Sequence, residues 1–287
     1  MNKLFFPSVA LAAIIATGSV ARADNKPISN WSGFYIGGNI GYAWADPTHS
    51  VGNISPFTIT APLTNPSFST PNPSGPLNLD GMLGGFQIGW NAQYGNWVVG
   101  LETDFQATGQ KDNRAINGGN FVLGTGGGNV IFGSTNSTIE EKRQWLGTLR
   151  GRVGSTWNNI LIYGTGGLAY GRVKFSGTEN IGGTFIGGGG CFGGCSYSGS
   201  ATFGSSETKL GWTIGFGLEG AAFVSGWTWK AEYLYVDLGS VGGALAYTGS
   251  INNPGGTVTP ISGSVNHSSD LKDSIVRFGV NYRFGPH

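Results

Sequence analysis

Eight stretches of this chain alternate apolar and polar side chains with a period of two, which is the signature of β-strands with two unlike faces. The first, 33–45, sets Phe34, Ile36, Ile40, Tyr42 and Trp44 against Tyr35 and Asn39. The second, 82–94, sets Phe86, Ile88, Trp90 and Tyr94 against Gln87, Asn91 and Gln93. Gly95-Asn96 is a two-residue hairpin turn into the third, 97–106, where Trp97, Val99, Leu101 and Phe105 oppose Glu102 and Asp104. The fourth, 142–157, places Trp145, Leu149, Val153 and Trp157 opposite Gln144, Thr148, Arg150 and Arg152. After Asn158-Asn159, the fifth, 160–175, sets Leu161, Tyr163, Val173 and Phe175 against Tyr170, Arg172 and Lys174. The sixth, 208–222, sets Trp212, Ile214, Phe216 and Leu218 against Lys209, Thr213 and Glu219. A link at Ser225-Gly226 opens the seventh, 227–238, with Trp229, Ala231, Tyr233 and Tyr235 opposite Lys230 and Glu232. The eighth, 274–284, sets Val276, Phe278, Val280, Tyr282 and Phe284 against Arg277, Asn281 and Arg283.

Connections are short after the second, fourth and sixth strands and long after the first, third, fifth and seventh. Outer-membrane barrels pair short periplasmic turns with long outer loops. The pattern therefore predicts an all-β fold: an eight-stranded antiparallel up-and-down transmembrane β-barrel with four long outer loops near 46–81, 107–141, 176–207 and 239–273. These segments are rich in Gly, Ser, Thr and Asn, and the first carries Pro56, Pro62, Pro66, Pro71, Pro73 and Pro76.

The parity of charge decides which face meets which medium. Glu102, Asp104, Arg150, Arg152, Arg172, Lys174, Glu219, Lys230, Glu232, Arg277 and Arg283 all fall on the non-aromatic face of their strands. In water the same alternation would describe a sandwich or a lipocalin with rings inside. An eight-stranded barrel, however, has an interior only wide enough for side chains to fill, so it cannot hold some thirty large apolar groups. With the rings turned outward, charges pair in the lumen and avoid the ~2–4 kcal/mol that a basic residue costs at the bilayer midplane. Aromatics also gather in two girdles, as amphipathic rings do at membrane interfaces. Phe34, Tyr94, Trp97, Trp157, Phe223, Trp227, Trp229 and Phe284 lie by the short turns or termini, and Trp44, Phe105, Trp145, Phe175, Trp212 and Tyr235 by the long loops.

Composition agrees: 11% charged residues, 13% aromatics and 53 glycines in 287 residues fit neither a charge-rich disordered chain nor an ordinary enzyme. A formal charge of +1 with no basic run excludes nucleic acid as a partner. Lys3, an apolar core from Val9 to Ala16 and Ala21-Arg22-Ala23 read as an export signal over 1–23, with cleavage between Ala23 and Asp24 and a single barrel domain over 24–287. That apolar core is shorter than the ~20 residues of a spanning helix. Cys191 and Cys195, in C-F-G-G-C, either close a small disulfide loop in an oxidising compartment or stay as free thiols.

Candidate chemistry is sparse. Gly164-Thr165-Gly166-Gly167-Leu168-Ala169 matches a dinucleotide fingerprint, but strand alternation follows it where a helix should open. His49 and His267 fall in outer loops and His287 at the C-terminus, without the spacing of a zinc site or a triad. Glu102 and Glu219 are better explained as partners of Arg150, Arg172 and Arg277 than as general acids. No cofactor is expected.

Three stretches carry a family resemblance: W-S-G-F-Y-I-G-G-N-I-G-Y-A-W (31–44), K-A-E-Y-L-Y-V-D-L-G (230–239) and V-R-F-G-V-N-Y-R-F (276–284). They resemble the small outer-membrane β-barrel surface antigens of alphaproteobacteria, called outer-membrane immunogenic or porin-family proteins. The resemblance covers the strands, not the loops, and implies a non-enzymatic integral outer-membrane protein with antigenic loops. Its expected partners are outer-membrane lipids, lipopolysaccharide and the outer-membrane assembly machinery, with the extracellular partner unspecified. Barrels of this kind end on an aromatic, whereas Phe284 is followed by Gly285-Pro286-His287. Envelope structure and surface recognition is the expected role. Small-solute passage, and binding of haem or another ligand or lipid modification by the loops, are the alternatives.

Overall fold

Period-two alternation over long stretches does become strand. The computed structural model describes residues 30–45, 53–54, 58–60, 78–125, 129–187, 191–222 and 224–284. Its strands are β1 (Gly33–Ala45), β2 (Asn53–Ile54), β3 (Thr58–Thr60), β4 (Asp80–Tyr94), β5 (Trp97–Thr108), β6 (Lys111–Thr125), β7 (Asn129–Trp157), β8 (Ile160–Gly187), β9 (Cys191–Ala221), β10 (Trp227–Asn252) and β11 (Val258–Phe284). Pairing runs β1-β4-β5-β7-β8-β9-β10-β11, every pair antiparallel, and β11 returns to β1 with Phe34 opposite Phe284 and Tyr42 opposite Val276. The ring is therefore closed through eight strands and leaves no lipid-facing edge, the condition under which backbone polar groups tolerate a bilayer.

The tight turns form where the sequence places them. Gly95 and Asn158 hold left-handed backbone, with φ of 59° and 53°, as the two-residue hairpins joining β4 to β5 and β7 to β8 require. Gly226, at φ 82°, shapes the link into β10.

The described parts of the long connections are mostly strand. Strands β7 to β11 run 26 to 31 residues each, against the roughly 9–11 that a tilted strand needs to cross a membrane. Segment 107–141 holds β6, which pairs with β7 from Lys111↔Lys142 to Thr125↔Asn129. Segment 176–207 is the distal half of the β8–β9 hairpin, and 239–273 is most of the β10–β11 extension. In segment 46–81, β2 and β3 add to the outer part of β11, while its prolines fall outside the described residues. Strands β7 to β11, joined by β6, β2 and β3, thus continue past the membrane as an antiparallel ribbon layer. One seam opens: β9 and β10 separate beyond Asp237↔Trp212 and rejoin at Thr248↔Ser200.

One local irregularity resets side-chain parity within the barrel wall. On β7 the pairing skips from Arg143↔Val173 to Trp145↔Arg172, leaving Gln144 as a bulge. One extra residue reverses the faces. Arg150 and Arg152 point inward below the bulge, Glu141 and Arg143 point inward above it, and Gln144, expected in the lumen, is exposed.

The fifth predicted strand is corrected on its faces instead. On β8 the odd-numbered residues are inside: Leu161, Tyr163, Ala169, Val173 and Phe175 are buried, while Ile160, Ile162 and Leu168 are exposed to lipid. Arg172 and Lys174 consequently point outward, not into the lumen, and Phe175 belongs to the interior rather than to a girdle. Near the turn both faces of this strand are apolar, so hydrophobicity alone does not orient it.

Candidate functional site

Among the described residues, the lumen is where the strands bring many chemistry-bearing side chains together. At mid-height, inward residues of β5, β7, β10 and β11 form one cluster. Glu102 accepts from Lys230 Nζ at 2.7 and 2.8 Å, from Tyr35 Oη at 2.7 Å and from Arg150 Nη2. Asp104 accepts from Thr148 Oγ1 at 2.8 Å, Arg277 Nη2 at 2.9 Å and Arg150 Nη2 at 3.0 Å. Glu232 accepts from Arg277 Nε at 2.6 Å, Tyr163 Oη at 2.8 Å and Arg150 Nη1 at 3.1 Å. These ionised side chains are at most 2% exposed.

One layer toward the short turns, Arg152 donates to Glu219 at 2.9 Å and to Asn91 at 2.7 Å, and its guanidinium lies over the rings of Tyr35 at 4.7 Å and Tyr163 at 5.2 Å. Glu219 also accepts from Thr228 and Asn281, and Gln87 links Asn281 to Asn39. Trp31 closes this end, 1% exposed, with the Arg283 guanidinium 5.1 Å from its ring.

Two glycines make room for the tyrosines. A Cβ on Gly89 would sit 2.2 Å from Tyr35 Oη, and one on Gly217 would sit 2.5 Å from Tyr163 Oη. The rings therefore lie across the lumen where a smaller barrel interior would otherwise be blocked by side chains, and their hydroxyls reach the central carboxylates.

Sequence reasoning missed the rim of this network. Arg143 donates to Glu141 at 2.6 Å and to Asp273 at 3.2 Å, Gln110 Nε2 donates to Asp273 at 3.0 Å, and Ser269 donates to Glu141 at 2.7 Å. All five residues lie in or beside segments read as loops. Their signal was present in the alternation of Glu141, Arg143 and Asp273 with exposed neighbours, but the bulge at Gln144 broke the register. With the rim included, Glu102, Asp104, Glu141, Glu219, Glu232 and Asp273 balance Arg143, Arg150, Arg152, Lys230, Arg277 and Arg283 one for one. Such balance is what a low-dielectric interior demands, since an unpaired ion there costs several kcal/mol.

The remaining predicted positions divide as follows. Cys191 and Cys195 are bonded, with Cα atoms 5.2 Å apart, and both sulfurs lie against Asn253 Oδ1 of the neighbouring hairpin. Trp44, Trp145 and Trp212 stand on the outer wall at the upper end, where Phe105, Trp145 and Tyr170 form a chain of ring contacts and Trp212 meets Tyr235 at 5.6 Å. Tyr94, Trp97, Trp157, Trp227, Trp229 and Phe284 are exposed on the outer wall by the short turns. Ala23, Asp24, His49, Phe223 and His287 lie outside the described residues, and the backbone of His267 is on β11 opposite Gly243. Gly164–Ala169 is mid-strand β8, with no helix after it. Among the described residues no group of three or more His, Cys, Asp or Glu side chains is arranged to hold a metal ion.

Comparison with known proteins follows this geometry. The chain matches the family described as outer membrane protein beta-barrel domain over residues 9–284. It is similar to the 31 kDa outer-membrane immunogenic protein of Brucella melitensis, at 35% identity, covering 82% of this chain and 83% of that protein. It is similar to the 22 kDa outer membrane protein of Rhizobium leguminosarum bv. viciae at 30% identity, covering 75% and 68%. Among solved structures it is similar to the outer membrane protein OprG from Pseudomonas aeruginosa, with a TM-score of 0.38 and 16% identity over 88% of this chain and 97% of that one. A closed ring of strands, an apolar outer wall between two aromatic girdles and these sequence matches lead to one conclusion: the chain belongs to the outer membrane protein beta-barrel domain family and is an integral protein of the outer membrane.

Proposed function

We propose that this protein is a non-enzymatic, non-conducting envelope component, in which a plugged barrel anchors a rigid β-ribbon layer for exposure and recognition at the cell surface. The single observation that carries this reading is the cross-lumen network of Arg150, Arg277, Lys230, Glu102, Asp104 and Glu232, whose side chains are at most 2% exposed and span from β5 to β11. A solute path would have to displace ions that hold one another. The carboxylates are saturated by cations and hydroxyls, which leaves none poised as a general acid or base.

The ribbon layer supports the recognition half of the proposal. Its interior is mainly apolar, with Ile131, Ile139, Ile181, Phe203, Tyr247 and Ile261 buried, so it stands as a packed body. The Brucella relatives are named as immunogenic, and an exposed rigid ribbon is the surface on which such a property would rest here.

Planar-bilayer recording of the refolded protein tests the reading. The expected result is an unbroken baseline for the native chain; steady, reproducible conductance steps would overturn it.

A further inference from the structure

Cations of the ribbon base differ in how they are compensated. Lys209 has Glu207 at 2.8 Å and Lys272 has Asp270 at 3.7 Å, each acid two residues away on the same strand. On β6, β7 and β8 the arrangement is the opposite. Lys111 is directly across from Lys142, and Lys142 is directly across from Lys174. All three are exposed on the outer wall. Like charges in directly opposed positions destabilise a sheet, and among the described residues none of the three has a carboxylate within ion-pair distance. Arg172 extends the row one step toward the membrane, its Nε donating to Ser206 Oγ at 3.0 Å. Glu140, on the same face, lies one step farther from the membrane, in register with Asn113 and Ser176, and is not within ion-pair distance of any of the three lysines.

Height fixes the medium this row meets. Arg172 is paired directly with Trp145, and Trp145 contacts Phe105 and Tyr170 in the outer aromatic girdle. Two residues along a strand rise about 7 Å, so Arg172 sits just above the girdle and Lys174 about one such step higher. Long basic side chains lie along a surface and carry their charge several ångströms toward it. The row is thus held at headgroup level, outside the barrel wall, where the outer leaflet presents its anionic groups.

We propose that Lys111, Lys142, Arg172 and Lys174 form a binding site for the phosphate groups of the glycolipid that makes up the outer leaflet, the phosphates bridging lysines that otherwise repel. A planar Arg fork next to three ammonium groups suits a phosphate monoester on a sugar, with the acyl chains lying along the glycine-rich wall of β7 and β8 below. The site goes beyond the plugged-barrel reading and does not depend on it, since conductance and lipid retention are separate readouts.

The test is retention of bisphosphorylated lipid A by purified barrel in mixed micelles, read by native mass spectrometry. Each cation near an anionic surface adds to its attraction, so the combined change Lys111→Gln, Lys142→Gln, Arg172→Gln and Lys174→Gln should lower retention more than tenfold. Phosphate-free lipid A should bind the native chain as weakly as lipid A binds that variant. Lys111→Arg, Lys142→Arg and Lys174→Arg together should retain it, and Lys209→Gln with Lys272→Gln should change it less than twofold. Should the fourfold variant not fold, as judged by heat-modifiable migration, Arg172→Gln with Lys174→Gln decides the matter with at least a threefold loss. Equal retention by the variants and the native chain, equal retention of phosphate-free lipid A, or displacement by millimolar inorganic phosphate alone would overturn the proposal.

Discussion

The membrane-embedded half and the ribbon half of this molecule are built from the same strands and have opposite interiors. On β10, Lys230 and Glu232 point inward within the membrane, and Leu234, Val236 and Leu238 point inward a few residues later. On β7 the inward series runs from Arg152 and Arg150 through Thr148 to Leu146, and beyond the rim to Ile139 and Ile131. Outside the wall the reverse holds: Trp90, Ile214 and Phe278 face lipid, while Arg172, Lys174 and Lys142 face water or headgroups. The tube does not change; its solvent does. Where lipid surrounds it, polar groups have only one another, and where water surrounds it, burial of apolar surface supplies the driving force.

The contrast breaks first at the ion cluster. Glu102→Ala leaves Lys230 and Arg150 short of a partner in a dry lumen and should destabilise the barrel by about 3–5 kcal/mol in urea unfolding from lipid vesicles. Removing an exposed acid of the ribbon, as in Glu207→Ala, should change stability by less than about 1 kcal/mol.

Next comes the apolar half. Phe203, 8% exposed and in tilted ring contact with Phe175 at 5.2 Å, anchors the ribbon interior. Phe203→Ala should cost about 3 kcal/mol, seen as faster amide exchange in β8 and β9 beyond the membrane while the barrel keeps its heat-modifiable migration.

A smaller effect is pH-dependent. Glu179 is 1% exposed inside the ribbon, its Oε1 has no hydrogen-bond partner, and burial pushes its carboxyl from the ordinary 4.5 up to about 7. An acid whose folded pKa is raised binds more protons when folded, so its environment favours folding at low pH. Ribbon stability should therefore be full below about pH 4.5 and fall as pH climbs to about 7. The loss should be on the order of 2 kcal/mol after allowance for solvent screening. Amide exchange at fixed temperature across that range checks it, and Glu179→Gln should flatten the curve. The smallest effect is at the tip: opening the Cys191–Cys195 loop by Cys191→Ala with Cys195→Ala should loosen the distal β8–β9 hairpin by roughly 1–2 kcal/mol and leave the barrel midpoint unchanged.

The same contrast explains what the sequence discloses. In the membrane half, rings and charges alternate so strongly that seven strands, apart from the bulged Gln144, read by the face the structure gives them, as with Trp90 against Gln87 or Tyr233 against Glu232. β8 misleads because Tyr163 hides a hydroxyl bonded to Glu232 and uses space left by Gly217, while Ile160 and Ile162 supply the lipid face. Ribbon strands are written in Gly, Ser, Thr and Asn, with inward apolar residues such as Ile181, Tyr197 and Val241 spaced too far apart to give a periodic signal. Long-range register, such as Lys142 between Lys111 and Lys174, is invisible in one dimension.

The central claim is that ionised groups fill the membrane-level lumen and apolar groups face lipid. Photolabelling from the hydrocarbon phase, with peptide mapping of the refolded chain in vesicles, tests it most directly. The account predicts labels on Trp90, Ile162, Leu168 and Ile214 and none on Tyr163, Arg150 or Glu232; labels on Tyr163, Arg150 or Glu232 with Ile162 and Trp90 spared would contradict it.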